Sequence, residues 1–536
     1  MSYSDDIVGR LHAQTDDAPP DGLVQVNLVA DGGALQQRWH QAIDELATCI
    51  RPVGDGVDPI LCEGGNYPGC WIEGTGTIST EILDRFVPSV SRSTHLAFAH
   101  HCRADGLMPY KLTDTGPGFS QIQIVTPLAR SVWKHYRQTG APIQYLQTMY
   151  NAMTEMDAWL ASHRDTRGTG GVEAFCTFDT GHDLSPRFWF VPDRCPDGDA
   201  TRHDTNCPVL PYIAPDMTAN VACQREYLAL IATELGDAAH PWQVKAQASR
   251  EALWAQCFSA DDEFFYDRAA DGQLLRVQSD VLLRVLACEI GDDALFERLL
   301  ARYLMNTRKF LSHYGFTSLS LDDPRFDHDY NQNTWGGPVN FLTLVRAPQA
   351  FEDHGHVAEL ALVEQPILAA MLACDRFPQC LDPWTGRPGF TDHYSPAILW
   401  LLDAVERNMG IQPRPDGEVW FTGVPPRDDQ LVNQIGYTRV VGGVTYDLVT
   451  IDHKVQVYAD GAQWLSFPTG WRVIARDGEV TAVIGLRASC TTGNLDVCRG
   501  AAQSTALNLG PNHVAHFARG QLTQITPHAF VAPQFS

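Results

Sequence analysis

The stretch IQIVTPLARSVWKHYRQTGAPIQYLQTMYNAMTEMDAWLASHR, residues 122–164, reads as two helices folded back on one another. Apolar residues recur at helical spacing in both halves. Gly140 and Pro142 sit between the halves, a helix stop followed by a restart. The same unit extends outward in both directions. Towards the N-terminus, ALQQRWHQAIDELATCI (34–50) puts Leu35, Trp39, Ile43 and Leu46 on one face. STEILDRFVPSVSRSTHLAFAHHC (79–102) predicts a second helix kinked at Pro88. Towards the C-terminus, helical periodicity returns at 214–236, 240–258, 279–291 and 292–305, and again near 338–346, 351–373 and 393–409.

Eleven or twelve helices in tandem hairpins either stack into an open solenoid or close on themselves. No fixed-period repeat is present, which argues against the solenoid. The expectation is an (α/α)6 toroidal barrel over residues 31–410, with its long loops gathered over one mouth. Before it, residues 1–30 are polar and rich in Pro and Asp, and read as a loose arm. After residue 411 the period changes. EVWFTGV, GVTYDLVTID, VQVYADG, WRVIARDG and VTAVIGL are short, β-branched and bounded by Gly, Asp and Pro. They predict an antiparallel β-sandwich over 411–536.

The chain has 536 residues, 44% hydrophobic and 19% charged, enough apolar surface for a large core. Its formal net charge of −25 repels a phosphate backbone and anionic lipid alike, so nucleic acid and membrane are not expected partners. A small neutral carbohydrate is compatible with that charge, and self-association is left open. No basic start precedes an apolar core at the N-terminus, and no run of eighteen apolar residues occurs; a cytoplasmic setting is expected. Most of the 14 cysteines lie singly in apolar stretches, as small buried hydrophobes. Cys195/Cys207 and Cys490/Cys498 are close enough in sequence to be bridged, but reduced thiols are the default in that setting.

The signatures GxxxxGK[ST], HExxH and GxSxG are absent. His100 and His101 read as core and surface histidines, His354 and His356 as part of a solvated helix connection, and no metal or organic cofactor is implied. Chemistry instead concentrates in the polar interruptions. GVEAFCTFDTGHDLSPRFWF (171–190) crowds Asp179, His182, Asp183, Ser185 and Arg187 among aromatic neighbours. A carboxyl group there would have a raised pKa and could act as a proton donor; Asp183 could equally cap a turn. EGGNYPGCWIEG (63–74) offers Glu63 and Glu73 with Tyr67 and Trp71, acceptors for hydroxyls beside flat apolar faces. DYNQNTWGGPVNFLTLV (329–345) carries Asn333 and Trp335. FPQCLDPWTGRPGFTDHYSPAILWLL (377–402) carries Gln379, Asp392 and Tyr394. Gln121 and Gln123 form a weaker fifth candidate. Glycine-rich turns and capped helices would explain most of these segments without any function.

At these segments the chain resembles the (α/α)6 glycoside hydrolases of the group containing trehalases, processing α-glucosidase I and mannosylglycerate hydrolase. Gly181-His182-Asp183-Leu184-Ser185-Pro186-Arg187 is similar to that group's Gly-x-Asp-Asn-Ser-Pro-Arg motif, whose Asp is the general acid. TWGGPVNFLTLV resembles its Trp-Arg-Gly-Pro helix start, SADDEFFYD its Asp-x-x-Gly-Phe-Tyr-Asp turn, and Asp382–Gly386 its Asp-Pro-x-Thr-Gly turn. The resemblance spans residues 60–410. It implies a glycosidase without specifying a substrate; the first expectation is inverting cleavage of a small, α-linked sugar or glycoside. Asp183 would be the acid, and Tyr67, Trp71, Gln121, Gln123, Asp179, His182, Arg187, Asn333, Trp335, Gln379 and Tyr394 would bind substrate. One departure matters. Where the group carries its catalytic base, a Glu shortly before Asp-Pro-x-Thr-Gly, this chain has Gln379. An amide cannot deprotonate water. Glu73, Glu63 or Asp392 would have to take over, or the nucleophile would need no base, as in a phosphorylase, transferase or isomerase. A non-catalytic sugar-binding protein is the remaining alternative.

Overall fold

The computed structural model describes residues 3–14, 24–31, 33–54, 57–426, 434–499 and 502–535. Fourteen α-helices occur among them. They are α1 (Tyr3–Gln14), α2 (Ala34–Cys49), α3 (Ser79–Leu83), α4 (Pro88–His100), α5 (Leu128–Thr139), α6 (Ile143–His163), α7 (Pro215–Leu235), α8 (His240–Cys257), α9 (Val281–Leu286), α10 (Asp293–Leu299), α11 (Phe341–Leu344), α12 (Ala347–Asp353), α13 (Val357–Ala373) and α14 (Ser395–Met409). Strands dominate from Ile411 onward. Among the described residues no helix is long and apolar enough to cross a membrane.

Two differences from the periodicity have simple causes. The helix expected over 79–102 is two helices, because Pro88 opens α4 at a position that needs no N–H donor. The helix expected over 351–373 is broken at His354–His356, with Gly355 at φ +72°.

The helices sort by what they touch. α3 meets α5, α5 meets α7, α7 meets α9, α9 meets α12, α11 meets α14, and α14 returns to α3. α2, α4, α6, α8 and α13 pack against α14, α5, α7 and α12. All fifteen residues of α14 are buried, as a helix enclosed on every side must be.

Two antiparallel sheets follow. One is seven-stranded and contains 434–441, 444–451, 454–459, 462–468, 491–497 and 503–509; the other is six-stranded and starts at 411–413. Phe421 of the second sheet meets Tyr446 and Trp464 of the first at 5.3 and 5.6 Å between ring centres, so the two sheets pack face to face. Buried ion pairs join them to the helices: Glu406 of α14 pairs with Arg85 and Arg439, and accepts from Tyr437 Oη at 2.7 Å.

The seventh strand of the first sheet is Val26–Ala30, which runs antiparallel to 434–441 with Val26 opposite Arg439 and Ala30 opposite Ile435. This corrects the reading of residues 1–30 as a loose arm. Ile7 and Leu11 of α1 are buried against the strand at Gly436, where a methyl group would stand 2.4 Å from Ile7 Cγ2. Spaced apolar residues in a polar segment suffice once a sheet edge is there to receive them. Residues 15–23 lie outside the described residues. Leu28→Ala, at a fully buried strand position, is expected to cost about 2–5 kcal/mol and lower the melting temperature; a loose arm would leave thermal unfolding unchanged.

Candidate active site

A pocket of about 370 Å3 is lined by Phe178, Asp183, Leu184, Asp193, Asn331, Gln332, Asn333 and Phe390. Asp183 lies on its wall. Its backbone carbonyl accepts from Trp335 N at 2.9 Å, and its Oδ2 accepts from Asn333 Nδ2 at 2.5 Å. Two segments far apart in sequence therefore fix one carboxyl group. Burial, with Glu73 and Asp193 nearby, pushes this carboxyl up to about 7, against the opposing pull of Asn333 and Arg194. Three residues other than glycine adopt left-handed backbone around it: Gln123 (φ 46°), Leu184 (φ 58°) and Phe390 (φ 70°). Such strain persists only where the surroundings impose it, and functional sites are where it collects.

Gln379 occupies a defined place in this arrangement. Its Oε1 accepts from Tyr67 Oη at 2.7 Å, and its Nε2 donates to Asn333 Oδ1 at 2.9 Å. A continuous hydrogen-bonded chain thus runs Tyr67–Gln379–Asn333–Asp183. Burial, beside Glu63 and Asp183, pushes the Tyr67 phenol up, so it stays a donor. Phe390, Trp71 and Tyr394 surround the Tyr67 ring.

The carboxylates suggested as bases separate clearly. Glu73 sits at the start of a buried π-turn, Gly74–Ile78, that leads into α3. Its Oε1 is 2.8 Å from Arg346 Nη2 and 3.2 Å from Arg284 Nη2, and its Oε2 accepts from Gln123 Nε2 at 3.0 Å. Both oxygens are engaged, which argues against a base. Glu63 accepts from Tyr394 Oη at 2.8 Å, while its buried Oε2 has no hydrogen-bond partner among the described residues. Burial pushes Glu63 up to about 8, only partly offset by Tyr394. Asp392 lies at the surface in an ion pair with Arg376 at 2.9 Å, and it does not line the pocket. Asp193, which sequence reasoning missed, does line it. Phe178 and Phe390 were missed too, because isolated Asp and Phe residues in a loop carry no pattern.

Several residues expected to bind sugar do not line this pocket. Arg187 is 2% exposed and its donors are consumed by Asp267 at 2.7 and 2.8 Å, Asp216 at 3.0 Å twice, and His182 Nδ1 at 2.6 Å. His182 accepts at Nδ1, so its proton is on Nε2, facing Asp280 Oδ1 at 3.0 Å; burial pushes the ring down to about 3 and keeps it neutral. Trp335 is 1% exposed, covered by His182 on one side and by the Arg284 guanidinium 4.6 Å from its ring centre, so it cannot stack on a substrate. Tyr394 is fully buried on Glu63. Trp71 is half-buried beneath Lys111. Gln121 is buried and accepts from Ser120.

Asp179 is closed off as well. Arg164, Ile122 N and Phe175 N supply four donors to its two oxygens, at 2.5–3.2 Å. It groups with Cys176 and Cys195 as three atoms able to ligate a metal, but Arg164 already supplies the cation there. Cys195 lies nearest Cys176, with the sulfurs 3.7 Å apart; neither it and Cys207 nor Cys490 and Cys498 are bridged, and all the cysteines are free thiols.

A chain with this site matches the mannosylglycerate hydrolase MGH1-like glycoside hydrolase domain over residues 87–395, more than half of its length. The chain belongs to that family and is a glycosidase. No curated protein sequence matches it significantly. Among solved structures it is similar to a GH63 mannosylglycerate hydrolase from Thermus thermophilus in complex with Tris and D-glycerate. That match has 16% identity and a TM-score of 0.56, covering 68% of this chain and 99% of the other. It is also similar to neutral trehalase from Saccharomyces cerevisiae (12%, 0.52, covering 65% and 73%) and to a GH78 rhamnosidase from Bacillus sp. GL1 (10%, 0.54, covering 81% and 42%). At these identities the likeness concerns the fold.

Glu73→Gln would take from Arg346 its carboxylate partner and leave Arg284 with only the longer contacts to Asp216 (3.5 Å) and Asp280 (3.9 Å). The expected cost is about 3–5 kcal/mol, read as a lower unfolding midpoint in urea. A residue that served only as a catalytic base would lose activity at unchanged stability.

Proposed function

We propose that this glycosidase cleaves a small, α-linked glycoside with inversion, on an (α/α)6 toroid whose inner ring is α3, α5, α7, α9, α11/α12 and α14. The unbroken circuit of contacts among those helices supports the closed ring. The observation that carries the chemistry is Asp183: a carboxyl on the pocket wall whose proton is held to about 7 by burial. It would protonate the leaving oxygen. An inverting mechanism also needs a carboxylate on the far side of a water, about 6.5–9.5 Å from the acid. Gln379 cannot serve. Glu63, holding its proton up to about 8, is a poor acceptor near neutrality, and Glu73 is tied to two arginines. Asp193 shares the pocket with the acid and is the proposed partner. The aromatic and amide walls, Phe178, Phe390, Asn331 and Gln332, suit a neutral sugar ring and its hydroxyls.

The amide at position 379 also supports a second reading, transfer of the glycosyl group to phosphate, whose own negative charge removes the need for a base. Glycoside cleavage followed by proton NMR, with and without phosphate, separates the two. Release in water with the anomeric configuration inverted supports hydrolysis, and turnover that requires phosphate overturns it.

Two outcomes test the acid. Asp183→Asn is expected to lower kcat/KM by at least about a hundredfold on glycosides with poor leaving groups. It should do far less to a glycosyl fluoride, whose leaving group needs no proton. The wild-type rate is expected to fall as pH rises through about 7, because the reactive form is the protonated one and is present only below that value. A basic limb unchanged in Asp183→Asn would refute the assignment.

A further inference from the structure

The position that should hold a base holds an amide instead, and its hydrogen bonds assign it another task. We infer that Gln379 is a positioning residue: it accepts from Tyr67, donates to Asn333, and so aims the Asn333 amino group at Asp183, leaving Oδ2 as the acceptor and Oδ1 to carry the acidic proton.

Donors and acceptors along the relay fix its direction. Each middle link must accept on one side and donate on the other, which an amide does and an ionised carboxylate, an acceptor only, cannot. A carboxylate at position 379 would accept from Tyr67 and from Asn333 alike. Asn333 would then turn its carbonyl towards Asp183, and Oδ2 would have to hold the proton and donate it to Asn333. The proton would point into the protein rather than into the pocket. With Gln379 the polarity runs the other way, from Tyr67 outward. Tyr67 cannot readily swing out of the chain, because Trp71, Phe390 and Tyr394 hold its ring. Gln379 is itself 2% exposed, and its backbone carbonyl accepts from Phe341 N at 2.9 Å, so its amide has little freedom to leave.

The other charged groups around Asp183 act through space. Glu73 from the π-turn and Asp193 from the returning loop favour its protonated form, and Arg194 favours the ionised one. Glu63 and Tyr67, from the 63–74 segment, face it as well. Asn333 donates the hydrogen bond to its side chain, so the direction of that amide decides which oxygen is free.

The importance of this relay to turnover rests on the acid reading of Asp183, but its test does not. The probe is the carboxyl 13C resonance of Asp183 in protein labelled with [13C]aspartate, assigned by its loss in Asp183→Asn and followed with pH in the absence of substrate. Gln379→Glu is expected to raise the titration midpoint by about one unit or more, by reversing Asn333 and adding a negative charge. Repeating it in an Asn333→Ala background isolates the charge, and the shift should shrink. Gln379→Leu and Tyr67→Phe, which add no charge, are expected to raise the midpoint by a smaller but resolvable amount, since Asn333 is then free to turn. Tyr67 is half-buried, and losing only its hydroxyl leaves its ring packing intact, so it carries the test if Gln379→Leu does not fold. Midpoints within about 0.2 unit of wild type in both neutral variants would overturn the relay. If the midpoints move as expected but no glycoside is ever cleaved, the acid assignment fails and the relay stands.

Discussion

The structure hangs on Glu73. One carboxylate on a buried turn meets Arg284 of α9, Arg346 between α11 and α12, and Gln123 before α5. Four segments of the helical region converge on two oxygen atoms. The acid loop is seated on the same group: a methyl at Gly181 would stand 1.9 Å from Glu73 Oε2, and Gly181 itself has φ +66°. Only glycine allows the loop to come so close with that backbone. Charges this deeply buried are expensive; Glu73 offsets Arg346, and shares Arg284 with the more distant Asp216 and Asp280. The position of Asp183, two residues beyond Gly181, therefore follows from an ion pair in which Asp183 takes no part.

How much of this could be read in the chain depended on whether the signal was local. Helices with one apolar face announced themselves, and so did Pro88 as a boundary, although as a restart and not a bend. The sheets were legible because their strands are bounded by Gly and Asp turns. The strand at Val26–Ala30 was not, because five residues next to a polar stretch have meaning only beside 434–441. At the site, the motif around Asp183 pointed to a loop that lines a pocket. It could not tell the residues facing the pocket from those facing inward. Arg187, His182 and Asp179 look like ligands in a linear sequence, and all three turn out to be spent on holding the loop. Asp193 and Phe390 escaped notice because each enters the pocket from a turn with no periodicity.

The same division explains the amide at position 379. Read along the chain, Gln379 is a lost base. Read in space, it is the middle of a chain of bonds that ends on Asp183. Whatever activates the nucleophile must therefore come from the pocket side, where the open wall is made by Asp193 and the amides of residues 331–333.

The strand Val26–Ala30 has a consequence for how the molecule is assembled. Its sole sheet neighbour among the described residues, 434–441, is synthesised about four hundred residues later. Until then its edge groups and the buried face of α1 have nothing to pair with, and the loop that must be closed to satisfy them is the whole helical domain. Closure over such a span is slow in forming contacts, though its entropic cost grows only logarithmically with length. The pairing can form only once residues 434–441 exist, and it ties segments from before and after the helical region into one sheet.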